Sequence, residues 1–408
     1  MTQMQTCPYA GFCGGCSLIG QEYAAQLAQK QKRMEKLFPG VSIEPVIGMN
    51  YPYRYRHKVQ AAFGRDRDGR IICGTYEEGS HRIVPIDDCL IQNKKANEIL
   101  RFIRESLPGF HIEPFDEDRG TGHLRHVLVR ISESTGRAMV VLVASSSVLP
   151  SRRRLAEALM QKFPYVETVV QSVNSRHTSM VLGDREKEIV LAGPGYLTDR
   201  ILGCSFRISP TSFCQVNPLQ MKKLYRRAME YAFDRNNPEK NAVKGSPTDP
   251  ARPIRILDAY CGTGTIGLIA ADTLRKAGCT AQVTGVERNP AAVSDAKKNA
   301  AAGKFQNVTF ICRDAGEYMK FLSASGRRPD VLFLDPPRAG SSKAFLQAVL
   351  TLAPDRIVYI SCEPDTLARD VKILGAGGYT VNRLCPVDMF PQTEKIECAV
   401  LLSRAKAK

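Results

Sequence analysis

Two apolar runs of the chain, VLFL at 331–334 and RIVYIS at 356–361, each stop at residues able to do covalent or acid–base chemistry. Both runs read as short buried strands. Asp335-Pro336-Pro337-Arg338 follows the first and Ser361-Cys362-Glu363-Pro364 the second, where a helical pattern begins at once. Proline suits the first helical position, so Cys362 is expected at a helix N-terminus. The positive end of a helix lowers a thiol pKa and favours the thiolate, which makes Cys362 a candidate nucleophile. A lone cysteine is more often an inert core residue, and its company decides between the two. Part of that company is the segment YTVNRLCPVDMFPQTEKIECAVLLSR at 379–404, which alternates like two strands of an antiparallel hairpin. Ligands of an open α/β sheet sit at the carboxyl ends of its parallel strands. A final strand running the other way begins at that edge, bringing Glu397 to Asp335 and Cys362. Glu394, three residues earlier, is the competing acid.

A second group of residues points to a nucleotide-like ligand. IRILDAYCGTGTIGLIAA at 254–271 reads strand, glycine turn, helix, and Gly262, Gly264 and Gly267 spell G-x-G-x-x-G. Glycines there let the backbone approach a ligand, and Glu287 at the tip of the next strand can accept from ribose hydroxyls. This alone fits a dinucleotide or S-adenosylmethionine. Asp258 before the glycines, Asp314 at a further strand end facing an adenine, and the Asp-Pro-Pro turn favour the methyl donor.

The third group is CPYAGFCGGC, where Cys7, Cys13 and Cys16 share one glycine-rich loop. Three thiols so close can ligate one metal centre if a fourth ligand joins them. Cys73 lies in an alternating strand pattern, whereas Cys89 ends a polar turn and is preferred. The spacing leaves zinc and iron–sulfur open.

Elements must carry these groups, and 408 residues suffice for two or three domains. We expect a cysteine loop over 1–20, a central α+β domain with an antiparallel sheet over 21–200, and a mostly parallel, doubly wound α/β domain over 201–408. The central domain would start with a basic helix at 21–37 and use strands around 58–63, 70–76, 82–86, 126–132, 138–144 and 168–173. Residues 236–253, rich in Pro, Asn, Lys and Ser, read as a mobile insertion in the last domain. A net charge of +16 suggests a polyanionic partner, nucleic acid before membrane. Tyr51, Tyr53 and Tyr55 alternate with Arg54 and Arg56, a pattern that suits stacking on bases or an amphipathic edge strand equally. Neither a membrane-spanning run nor a signal sequence is evident, so a cytoplasmic chain, and a monomer, is expected. Thirteen cysteines in a reducing compartment argue for metal or catalytic roles rather than disulfides.

Together these motifs resemble the RNA (uracil-5-)-methyltransferase family over nearly the whole chain. The resemblance rests on the pattern of Cys7, Cys13, Cys16 and Cys89, on SFCQVN around Gln215, on DAYCGTGTIG, and on Glu287. DPPRAG, ISCEPDTLARD and MFPQTEKIE complete it. It implies a class I, Rossmann-like methyltransferase domain and a [4Fe–4S] cluster on the four cysteines. It further implies S-adenosylmethionine held by Gln215, Tyr260, Glu287 and Asp335, with Gly262, Gly264 and Asp314 completing the pocket. Cys362 is then the nucleophile and Glu397 the proton acceptor. The expected reaction is methylation at C5 of one uridine, in 23S ribosomal RNA, through a covalent cysteine–C6 adduct. Transfer RNA uridine, or a nitrogen acceptor, is the alternative. The chain opens at the cysteine loop, so the branch without an N-terminal TRAM domain is expected, and the 236–253 insertion departs from the family pattern.

Overall fold

A computed structural model describes residues 4–77, 79–176, 181–183, 187–233 and 252–404. All of the 236–253 insertion except its last two residues lies outside these. The chain forms two compact units, one of Met1–Glu22, Asn50–Asp199 and Arg207–Leu219, the other of Tyr23–Met49, Arg200–Phe206 and Gln220–Lys408.

The first unit is built on a seven-stranded sheet in the order β3-β2-β1-β4-β5-β6-β7. Its strands are β1 (Lys58–Arg65), β2 (Ile71–Tyr76), β3 (Ile83–Pro85), β4 (Leu124–Ile131), β5 (Ala138–Ala144), β6 (Val166–Val173) and β7 (Glu188–Ala192). Sequence reading expected an antiparallel sheet, and one joint departs from it: β5 and β6 pair in parallel. Helix α3 (Arg152–Lys162) makes the crossover that such a joint requires. The core is dry because β5, AMVVLVA, is buried at every position. Helix α2 (Lys94–Ser106) starts where the Asn93 side chain accepts the Lys95 N–H, and buries Ala96, Ile99, Leu100 and Ile103. A hairpin of β8 (Leu197–Ile201) and β9 (Cys204–Ile208) stands apart.

The second unit holds the doubly wound sheet, ordered β12-β11-β10-β13-β14-β16-β15. β10 (Ile254–Ala259), β11 (Ala281–Glu287), β12 (Val308–Cys312), β13 (Val331–Leu334) and β14 (Arg356–Ser361) run parallel. β16 (Glu397–Arg404) slots antiparallel between β14 and β15 (Tyr379–Val387). Parallel strands covered on both faces must be apolar throughout, and β13 and β14 are buried at every residue. Helices α4 (Pro218–Phe233), α5 (Thr265–Lys276), α6 (Pro290–Ala302), α7 (Ala315–Ser325), α8 (Lys343–Leu352) and α9 (Pro364–Ala376) follow in chain order. Leu332, Phe345, Leu346 and Tyr359 share one core cluster here, and truncating such a leucine costs about 2–5 kcal/mol.

Two boundaries differ from the sequence reading. Helix α1 (Tyr23–Leu37) was placed with the central domain but belongs to the second unit, where Met34 joins the sheet's core cluster. Residues Arg207–Leu219, assigned to the last domain, belong to the first unit. There Arg130 Nη2 donates to Pro210 O at 3.1 Å and His57 N–H to Val216 O at 2.7 Å.

Candidate active site

Strand order reverses between β10 and β13, and a ligand crevice is expected at their carboxyl ends. The turn after β10 enters with Tyr260 at φ 65, an uncommon backbone for a side-chain-bearing residue, followed by Gly262 at φ 54 and Gly264 at φ 80. A Cβ on Gly264 would lie 2.4 Å from Phe310 Cζ, so only glycine fits, while one on Gly262 would meet nothing within 4 Å. Glu287 ends β11 and accepts the Gly262 N–H at 3.2 Å and the Asn289 N–H at 2.9 Å. Asp258 accepts the Gly267 N–H at 2.8 Å through one oxygen; the other is buried without a partner among the described residues. Burial, then the nearby Asp335 and Glu287, push the Asp258 carboxyl up to about 8. Burial likewise raises Asp335 to about 7. Three crowded carboxyl groups beside an open glycine turn make a site for a cation, and the sulfonium and ammonium of S-adenosylmethionine fit it. Tyr260 packs on Phe345 with ring centroids 5.3 Å apart. Asp314 acts as N-cap of α7, accepting the Gly316 and Glu317 N–H groups, and adds to the burial that raises the Tyr260 phenol.

The same edge carries the thiol. Helix α9 starts at Pro364 after Glu363, so Cys362 stands at the turn expected of it. Ser361 pairs with Cys398 in the β14–β16 ladder, and continuing that register by one residue sets Cys362 opposite Glu397. Facing residues of an antiparallel pair hold their Cβ atoms about 4.5–5.5 Å apart. Glu397 is 2% exposed, whereas Glu394 is exposed. One expectation is reversed. The helix terminus was expected to lower the Cys362 thiol; burial, Glu397 and Asp335 instead push it up to about 11, against the lowering effect of Arg338. Desolvation and two anions outweigh one helix end.

Sequence reading missed how the DPPRAG turn is fixed. Asp370, fully buried, accepts from the Ser341 N–H at 2.8 Å and from Tyr359 Oη at 2.7 Å. Arg369 reaches Ala339 O and Ser341 O, and Thr366 Oγ1 reaches Arg338 O. A signal was present: Thr366, Arg369 and Asp370 recur at helical spacing on the helix that follows Cys362.

In the first unit, Cys7, Cys13, Cys16 and Cys89 lie near one another. Burial first, then Cys89, Cys13 and Cys7, push the Cys16 thiol up to about 12. The loop docks on the sheet domain, with the Asp87 N–H donating to Tyr9 Oη at 3.1 Å and Cys13 Sγ 3.4 Å from Thr75 Oγ1. Among the described residues no set of three or more His, Cys, Asp or Glu has the geometry of a ready-made metal site. The four thiols match a thiolate-bound centre in number and chemistry, but not in arrangement. Cys73 is buried in the sheet core, as its strand pattern suggested. Tyr53 and Tyr55 are buried and do not form a stacking surface; Arg54 pairs with Asp88 and donates to Cys89 O at 2.7 Å, bracing the cysteine turn. Gln215 is half-buried in the first unit's Ser209–Asn217 turn, whereas the glycine loop belongs to the second unit.

Comparison with known proteins agrees with this chemistry. Residues 248–405 match the family model for tRNA (uracil-5-)-methyltransferases. An uncharacterized RNA methyltransferase of Halalkalibacterium halodurans is 41% identical over 402 residues, covering 97% of this chain and 82% of its own. Another, of Oceanobacillus iheyensis, is 40% identical, covering 96% of this chain and 81% of its own. Among solved structures, the Pyrococcus abyssi tRNA (uracil-54, C5)-methyltransferase in complex with S-adenosyl-L-homocysteine superposes with a TM-score of 0.75 at 25% identity, covering 98% of this chain and 87% of that one. The sheet order, the acid-lined glycine turn and these relatives lead to one conclusion: the chain belongs to the RNA (uracil-5-)-methyltransferase family, S-adenosylmethionine-dependent enzymes on a class I methyltransferase fold.

Proposed function

We propose that the protein methylates C5 of a uridine in RNA through a temporary bond between Cys362 and the base. The observation carrying this reading is a half-buried thiol just past the end of β14, close enough to the buried Glu397 and to Asp335 to feel both charges. S-adenosylmethionine supplies an electrophilic methyl group, and Tyr260, Gly262, Gly264, Glu287, Asp335 and Asp314 would hold it. C5 of uracil is too weak a nucleophile unaided. As the thiolate, Cys362 Sγ adds to C6, which pushes electrons onto C5 and O4, and C5 takes the methyl as the donor's S–CH3 bond breaks and leaves a neutral thioether. Glu397 then removes the C5 proton, the C5–C6 double bond re-forms, and the C6–Sγ bond breaks to return the thiolate. To reach C6 the uridine must leave its stack.

Ribosomal RNA is the substrate we favour. Transfer RNA is a second reading, favoured by the likeness to a tRNA uracil-54 enzyme. We also propose a [4Fe–4S] cluster on Cys7, Cys13, Cys16 and Cys89, supported by their mutual proximity, in a cytoplasmic, monomeric enzyme. Among the described residues no helix is long and apolar enough to cross a membrane.

The test uses unmodified RNA from a strain lacking the gene. Glu397→Gln should accumulate an RNA–protein adduct that survives SDS, and Cys362→Ala should give neither adduct nor product. Methylation at C5 by Cys362→Ala would refute the nucleophile, and mapping 5-methyluridine in the two RNA classes decides the substrate.

A further inference from the structure

We infer that α1 is a positioning element for the proton-removal step, holding the loop that leads into Glu397 in register with the turn that carries Cys362. This rests on the reading of Glu397 as the base. Tyr23, Gln26, Lys30 and Arg33 recur at three- and four-residue spacing and so share one face of α1. That face is buried although it is polar, with Gln26 at 0% and Lys30 at 2% exposure. Tyr23, Gln26 and Lys30 of this face reach the loop between β15 and β16. Lys30 Nζ donates to Asp388 Oδ1 and to Phe390 O, and Tyr23 Oη donates to Asp388 Oδ2 at 2.7 Å. Gln26 and Gln392 exchange two hydrogen bonds, Gln26 Nε2 to Gln392 Oε1 at 2.9 Å and the Gln392 N–H to Gln26 Oε1 at 3.0 Å.

Three features mark this contact as positional rather than merely stabilising. A buried Lys–Asp pair seldom stabilises more than apolar residues of the same volume would. Gln392 adopts φ 69, a left-handed backbone that a non-glycine residue keeps only when its surroundings impose it. The held loop starts at Asp388, directly after Val387, and Val387 is the ladder partner of Glu397. The far end of the same helical face reaches the nucleophile's turn. Arg33 Nη1 donates to Glu394 O at 3.5 Å, while its Nη2 lies 2.6 Å from Asp365 and 3.6 Å from Glu363, the residue after Cys362. One helix thus grips the lead-in to the base and the flank of the thiol.

Misplacing a catalytic group by about 1 Å can cost on the order of 100-fold in rate. Loosening the grip should therefore slow loss of the C5 proton more than capture of the base. Single-turnover reactions with methyl-labelled S-adenosylmethionine and unmodified RNA from the deletion strain separate the two steps in the full-length protein. With Gln26→Ala, methyl should enter the adduct within about twofold of the wild-type rate while release of 5-methyluridine slows about tenfold, so a methylated, SDS-resistant adduct builds up. RNA half-saturation should stay unchanged. Gln392→Gly is the discriminating variant. It relieves the left-handed backbone but takes away the Gln26 Nε2 acceptor, so a purely structural role for Gln392 shows only as a lower melting temperature, with release untouched. A positioning role gives the same adduct build-up at temperatures where the variant stays folded. Arg33→Ala, on a half-exposed side chain, covers the case in which Gln26→Ala does not fold. Release at the wild-type rate from Gln392→Gly and Arg33→Ala, with Glu397→Gln still trapping adduct, overturns this inference and leaves the base assignment standing. Failure of Glu397→Gln to trap any adduct overturns both.

Discussion

The raised thiol gives the sharpest quantitative expectation. Cys362 lies one residue past the last β14–β16 pair, beside Glu397, and after burial the carboxylate is what most penalises the thiolate. Taking the charges as about 6 Å apart and an effective dielectric of roughly 20–40, their repulsion is about 1.4–3 kcal/mol, or about one to two pKa units. Glu397→Gln removes that anion, so the thiol pKa falls from about 11 toward the ordinary cysteine range. At neutral pH the thiolate population should then rise roughly 10- to 100-fold. Alkylation of Cys362 by iodoacetamide, followed by peptide mass spectrometry across about pH 6 to 10, reads this directly because only the thiolate reacts. The wild-type rate should climb about tenfold per pH unit over that range, and the variant should alkylate faster and level off earlier. Equal or slower alkylation of Glu397→Gln at neutral pH would refute that proximity and the electrostatic argument with it. The variant should thus attack sooner and let go later, an opposition that general damage to the site would not produce.

Other perturbations are specified just as closely. Gly340 sits at φ 73, and a Cβ there would come within 2.5 Å of Arg369 Nη2 and 2.9 Å of Asp370 Oδ2. Gly340→Ala should cost about 1–3 kcal/mol in urea unfolding and weaken S-adenosylmethionine binding in calorimetry; an unchanged midpoint would contradict the role given to that turn. Asp258 binds its proton more tightly folded than unfolded, so its contribution to stability falls as pH rises from about 4 to about 8. Asp258→Asn should flatten that fall and raise the urea midpoint near the upper limit. A variant with the wild-type slope would show that Asp258 is ionised in the fold. Anaerobic purification should yield a brown protein with about four irons and matching sulfide per chain, lost in Cys89→Ser. Stoichiometric zinc without sulfide would replace the cluster with a zinc site.

Much of the second unit was legible because parallel strands covered on both faces must be written as unbroken apolar runs, as VLFL and RIVYIS are. The edge position of Glu397 followed from strand direction alone. Other features escaped for physical reasons. Helix α1 turns polar residues inward, so a reading that equates Gln and Lys with solvent assigned it to the wrong unit. The Cys362 thiol was misjudged because its helix is local, while the carboxylates that raise it come from residues 27 before and 35 after it in the chain. Tyr53 and Tyr55 resembled a stacking platform in sequence, yet they are buried and only Tyr51 is exposed. Alternation of rings and cations does not tell which face meets water.

The place of β16 between β14 and β15 has a consequence for biosynthesis. A ribosome must complete residue 404 before β14 gains its neighbour on that side. Until then β14 presents an unpaired apolar edge, and the thiol at its tip lacks the neighbouring Glu397. Such long-range pairing forms slowly and leaves nascent chains prone to association. The layout thus delays completion of the site until translation has passed β16, and it makes that strand the step at which assembly is most exposed to error.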